Sequence, residues 1–149
     1  MAYYDEQLAA GQKFQDYIAE QLYRAGVVLV NFQSRDFQLA RGENLLGLEI
    51  KFDRQYAHTG NLWIEVAERA APDHAWIPSG IYRGDNAWLY GIGDHTEFFI
   101  FSIKLLRLLV ERPGSRFVVH VNTLCTSRGF LLPRADAHRY ADKVHAWAQ

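Results

Sequence analysis

The amino-acid sequence predicts an α/β (α+β) fold with a mixed sheet flanked by helices. Three observations predict it: a long helical periodicity at the start, a middle region of short alternating or β-branched runs broken by turn residues, and a return to helical spacing after Ser102.

The opening helix, expected from Tyr4 to Ala25, rests on Leu8, Phe14, Tyr17, Ile18 and Leu22, with Gly26 as its stop. Val27–Phe32 reads as a strand, and Phe37–Leu39 as a second one after a turn near Ser34–Asp36. Leu48–Asp53 and Asn61–Val66 alternate cleanly and are expected as strands. Gly80–Arg83, Trp88–Tyr90 and Glu97–Phe101 read as short strands, separated by Gly84–Asp85–Asn86 and by Gly91–Ile92–Gly93–Asp94. Ser102 is placed to cap a helix over Ile103–Glu111, which Pro113–Gly114 ends. Phe117–Val121 and Gly129–Leu132 follow as strands, and Ala135–Trp147 as a terminal helix. No repeat or linker divides the chain, so one domain over residues 1–149 is expected.

Composition narrows the function classes. A hydrophobic fraction of 49% supports a proper core, and a formal net charge of -1 supplies no global field for a polyanion, leaving only a local basic cleft for that purpose. The single cysteine, Cys125, excludes an intramolecular disulfide and a cysteine-built zinc site. With no basic-then-apolar leader and no apolar run of membrane-spanning length, the expectation is a cytoplasmic protein without membrane contact.

The chemistry concentrates in "RGENLLGLEIKFD", residues 41–53. On an extended strand Glu49, Lys51 and Asp53 share one face, while Leu48, Ile50 and Phe52 point to a core. A three-residue hairpin loop ending at Gly47 would pair Asn44 with Leu48 and set Glu43 opposite Glu49. A second hairpin centred near Ala57 would bring Glu65 opposite Glu49 and Trp63 opposite Lys51. Carboxylates converging in this way repel unless a cation compensates, and hard oxygen ligands suit Mg²⁺ or Mn²⁺. Lys51 would position or activate a water, or neutralise charge on a phosphoryl group, and the combination describes metal-assisted phosphodiester hydrolysis.

An acid upstream of Glu49-Ile50-Lys51 on a strand, after a helix carrying Asp16 and Glu20, resembles the PD-(D/E)XK nuclease superfamily of restriction-endonuclease-like and junction-resolvase-like enzymes. The resemblance covers roughly residues 11–66. It implies a restriction-endonuclease-like core and a DNA endonuclease using Mg²⁺ or Mn²⁺. By match, Glu49 and Lys51 form the ExK pair, Glu43 is the first acid, Glu20 is the helix-borne metal ligand and Glu65 is auxiliary. Gly42-Glu43-Asn44 stands where the family has Pro-Asp, and the short separation of Glu43 from Glu49 leaves Asp36 as the rival first acid. A homodimer would be needed to cut two strands symmetrically. The alternative is a catalytically inactive nucleic-acid- or protein-binding module on the same fold, with Glu49 and Lys51 merely paired.

Other constellations carry less. His120 with Cys125 would suggest a thiol nucleophile with its base, but a lone cysteine is usually a small core residue, and His58, His74, His95, His138 and His145 show no metal-ligand spacing. "YGIGD", residues 90–94, reads as a turn. Trp63, Trp76 and Trp88 are mostly core candidates, with one or two able to stack on bases, and Arg54, Arg83 and Arg128 sit at strand ends or loops where phosphate contacts are made.

Overall fold

In the computed structural model, residues 2–147 are described, except the side chain of Tyr4. Helix α1 (Ala2–Arg24) buries Phe14, Ile18 and Leu22, one apolar residue per turn. It ends as expected: Gly26 adopts φ +89°, and Val27 N donates to Leu22 O at 2.8 Å while Gly26 N donates to Tyr23 O at 3.0 Å.

The next segment departs from expectation. Val27–Phe32 runs extended but forms no ladder; its pairing is an isolated bridge between Asn31 and Asn44, supported by Phe32 N donating to Glu43 O. Phe37–Leu39 lies in helix α2 (Arg35–Arg41), because Ser34 caps it by accepting from Phe37 N at 3.1 Å. The apolar spacing of Phe37 and Leu39 imitates a strand, but both side chains are exposed.

One sheet has the order β1 (Leu48–Phe52), β4 (Leu89–Gly93), β5 (Glu97–Ser102), β8 (Lys143–Ala146); β1 and β4 are parallel, the other pairs antiparallel. The other has the order β3 (Ile77–Pro78), β2 (Asn61–Glu68), β7 (Ser127–Pro133), β6 (His120–Val121), all antiparallel. The expected β1–β2 hairpin is therefore absent. A short helix α3 (Tyr56–Thr59), closed by Gly60 in the left-handed region, carries the chain into a different sheet.

Four more expectations are corrected, the first being the turn expected over residues 90–94, of which Tyr90–Gly93 instead belongs to β4 and pairs on both edges. Gly80–Tyr82 is a 3₁₀ turn rather than a strand, and the strand expected over Phe117–Val121 is confined to His120–Val121. The terminal helix divides into α5 (Arg134–Tyr140) and β8, which caps the remaining edge of β5 with Val144 packed on the core. Pairing that edge outweighs the helical propensity of the segment. Helix α4 (Ile103–Glu111) has the expected bounds and the Ser102 cap.

Two apolar clusters follow from this arrangement. Phe14, Ile18 and Leu22 of α1 pack on Leu48, Ile50 and Phe98. The larger cluster joins Tyr90, Ile92, Phe99 and Phe101 of the first sheet to Leu62, Ile64, Phe130 and Leu132 of the second. Among the described residues no helix is long and apolar enough to cross a membrane.

Candidate functional site

Alternation along β1 divides its faces as expected, since Leu48 and Ile50 meet α1 and leave Glu49 and Lys51 on the other side. Parallel pairing sets Glu49 beside Tyr90 and Lys51 beside Ile92, both members of the larger core. Glu49 consequently sits at the rim of that core with only 2% of its surface exposed. Its Oε1 lies 2.9 Å from Lys51 Nζ and 3.8 Å from Arg83 Nη1, yet neither carboxylate oxygen receives a well-aligned hydrogen bond.

Glu43 reaches the same place by another route than a hairpin. Asn44 brackets the loop with its side chain, Nδ2 donating to Leu48 O at 2.8 Å and Oδ1 accepting from Leu48 N at 3.1 Å. Burial, and then the charge of Glu49, push the Glu43 pKa above its ordinary value, with Lys51 and Arg83 opposing. For Lys51, burial works to lower the pKa, but the Glu49 carboxylate, with Glu65 and Glu43 behind it, more than offsets this and raises it. Lys51 is therefore an ammonium at neutral pH, suited to orienting a water or phosphate oxygen and not to removing a proton.

Glu65 enters from β2. Ser79 Oγ donates to its Oε1 at 2.9 Å and Ser127 Oγ to its Oε2 at 2.7 Å, so both oxygens are occupied within the protein. It acts on Lys51 through its charge. Asp53 also turns to the protein, accepting from Gln55 N at 3.0 Å and Trp63 N at 2.8 Å, which ties the end of β1 to β2.

Two expected acids stand elsewhere. Glu20 is exposed and paired with Arg24 at 2.6 Å; it lies about 200° around α1 from both Ile18 and Leu22, and α1 covers the face of β1 opposite Glu49. Asp36 is exposed in the first turn of α2. Sequence reasoning missed Arg83 and Tyr90 as neighbours of Glu49, and Asp85 as the partner of Arg83. Arg83 Nε pairs with Asp85 at 3.1 Å, and burial followed by the charges of Glu49 and Glu65 raises the Tyr90 pKa. The Gly84–Asp85–Asn86 turn after Arg83 was the one local signal.

A divalent cation can be tested against this donor set. Glu43 and Glu49 sit close enough for one to perturb the other, and Glu49 has unused oxygen. Mg²⁺ commonly takes one or two carboxylates and completes its shell with water and substrate phosphate, so the pair fits. Among the described residues no group of three His, Cys, Asp or Glu side chains is placed to hold an ion; Glu20 is paired with Arg24, and both oxygens of Glu65 accept from serines. A cleft of about 910 Å³ is lined by Lys51, Arg54, His58, Trp63 and Glu65 among others; Glu43 and Glu49 are not in its lining, and Lys51 is the link between the cleft and Glu49. Comparison with known proteins finds no matching family model, no match among curated proteins and none among solved structures.

Proposed function

We propose that this chain is a metal-dependent endonuclease that hydrolyses phosphodiester bonds in DNA. The observation that carries the reading is the buried Glu49 carboxylate, which lacks aligned donors, acts through its charge on Glu43 and pairs with Lys51, an ammonium that lines the cleft. A side chain this buried normally has its hydrogen bonds made, so an unsatisfied one marks a place where a ligand belongs.

Glu43 and Glu49 would hold Mg²⁺ or Mn²⁺, which supplies Lewis-acid stabilisation of the phosphoryl charge. Lys51 donates hydrogen bonds to the attacking water or to a non-bridging oxygen and holds it in line. Glu65, itself fixed by Ser79 and Ser127, keeps Lys51 charged. Arg83, 3.8 Å from Glu49, balances part of the negative charge when the cleft is empty.

The second reading is an inactive nucleic-acid- or protein-binding module, favoured by the closure of Lys51 on Glu49 at 2.9 Å. Incubation with linear duplex, single-stranded, flapped and four-way DNA, with and without Mn²⁺, separates the two. Mn²⁺-dependent nicking is expected; binding without cleavage on every substrate would establish the module instead.

A further inference from the structure

Trp63 is held unlike Trp76 and Trp147; Trp88 shares with it an unstacked ring lying over a glycine, Gly47, but stands outside the cleft. Trp76 is stacked by Arg69 and Arg128 at 4.1 and 4.2 Å, and Trp147 contacts Tyr17, Phe98 and His145. Among the described residues no ring or cation stacks on Trp63, although it lines the cleft beside Lys51. Alternation on β2 turns it away from Leu62 and Ile64 of the core.

Its placement is nevertheless fixed at three points. The indole lies over Gly129 of the neighbouring strand, where an added Cβ would meet Cε2 at 2.7 Å and Cζ2 at 2.9 Å, so one side of the ring rests on bare backbone. Nε1 donates to Ser127 Oγ at 2.9 Å, and that hydroxyl donates onward to Glu65 Oε2 at 2.7 Å. The Trp63 N–H donates to Asp53, two residues beyond Lys51, a step of roughly 7 Å along an extended chain. The ring is thus fixed in place, backed on one side, and lines the same cleft as Lys51.

We propose that Trp63 is a stacking platform for an unpaired nucleobase, so that the cleft takes a single DNA strand, with the adjoining phosphate against Lys51. The proposal rests on the nuclease reading and names its substrate. A volume of about 910 Å³ is at the upper end for small-molecule sites and accommodates a nucleotide with its neighbouring phosphate. Base stacking on an aromatic ring is tolerant of sequence.

The test compares binding of a short oligothymidylate with that of an equally long abasic sugar-phosphate strand, in EDTA and again with Mn²⁺. Both probes carry the same phosphates, so counterion release is matched. The wild type should prefer the thymidylate by about 10-fold or more. Trp63→Leu should lose that preference and Trp63→Phe should keep most of it, with circular dichroism confirming that each variant is folded. Equal binding of the two probes by the wild type, with duplex DNA still cleaved, would overturn the stacking proposal and leave the nuclease standing. A preference that survives Trp63→Leu would also overturn it. Failure to bind or cut any DNA under either condition would remove both.

Discussion

Glu49 and Glu97 are both buried glutamates on strands of the same sheet, and their surroundings treat them in opposite ways. Glu97, 7% exposed, accepts from Tyr56 Oη at 2.5 Å and from Arg134 Nε and Nη2 at 2.9 and 3.0 Å, and lies 3.1 Å from His138 Nε2. The Arg134 hydrogen bonds, with those of Tyr56, carry its pKa down to about 2 against the opposing effect of burial. Glu49, 2% exposed, has one close ammonium, one more distant guanidinium and no aligned donor. Glu97 is a structural clasp tying α3, β5 and α5 together, whereas Glu49, with no aligned donor of its own, is the carboxylate on which the proposed metal site rests. Burial alone does not distinguish the two; the number of donors does.

The largest expected effect falls on the Glu49 side. Lys51→Met should lower cleavage by about 10³-fold or more, the size seen when one preorganised stabilising donor is lost, in a chain that still folds but is less stable, because buried Glu49 loses its one close counter-ion. Gel-based cleavage with Mn²⁺ measures it, and near wild-type turnover would make the two clusters alike.

Next comes the clasp itself. Glu97→Ala should destabilise the fold by roughly 3 kcal/mol in denaturant titration, because it strands the Tyr56 hydroxyl and unties Arg134. The pH dependence has a definite sign. A carboxyl whose folded pKa is depressed stabilises above its unfolded value, so this contribution is present near pH 5 and is lost as the pH falls toward about 2. Glu97→Gln should flatten that slope.

Glu43 should show the opposite linkage. Its raised pKa means that the folded state holds the proton more strongly, so its contribution to stability declines as pH rises through the window above its ordinary value. Glu43→Gln should therefore change stability by no more than about 1 kcal/mol at neutral pH, and in the stabilising direction. It should also weaken Mn²⁺ binding in calorimetric titration, while Asp36→Ala leaves binding unchanged. A required Asp36 with a dispensable Glu43 would mean that the acids are gathered differently from the way described above.

The smallest effect is expected at Glu20. Its exposed pair with Arg24 should contribute under about 0.5 kcal/mol, and Glu20→Ala should leave Mn²⁺ affinity unaltered.

Strict alternation over residues 48–53 was enough, before any coordinates, to put Glu49 and Lys51 on one face and Leu48 and Ile50 on the other. The caps at Gly26 and Ser102 were equally legible, because capping depends on neighbours within a few residues. Such features are properties of local geometry, where spacings of two or four residues decide which side chains meet. Only the tertiary structure decided that β1 pairs in parallel with β4 although β2 and β3 of the other sheet lie between them in sequence, that α1 covers the face opposite Glu49 while Glu20 points elsewhere, and that Arg83, Asp85 and Tyr90 gather around Glu43 and Glu49. It also turned residues 143–146 from expected helix into the strand that covers β5. Those outcomes depend on which distant segments satisfy exposed strand edges and bury the most apolar surface together, a competition over the whole chain that no local period encodes.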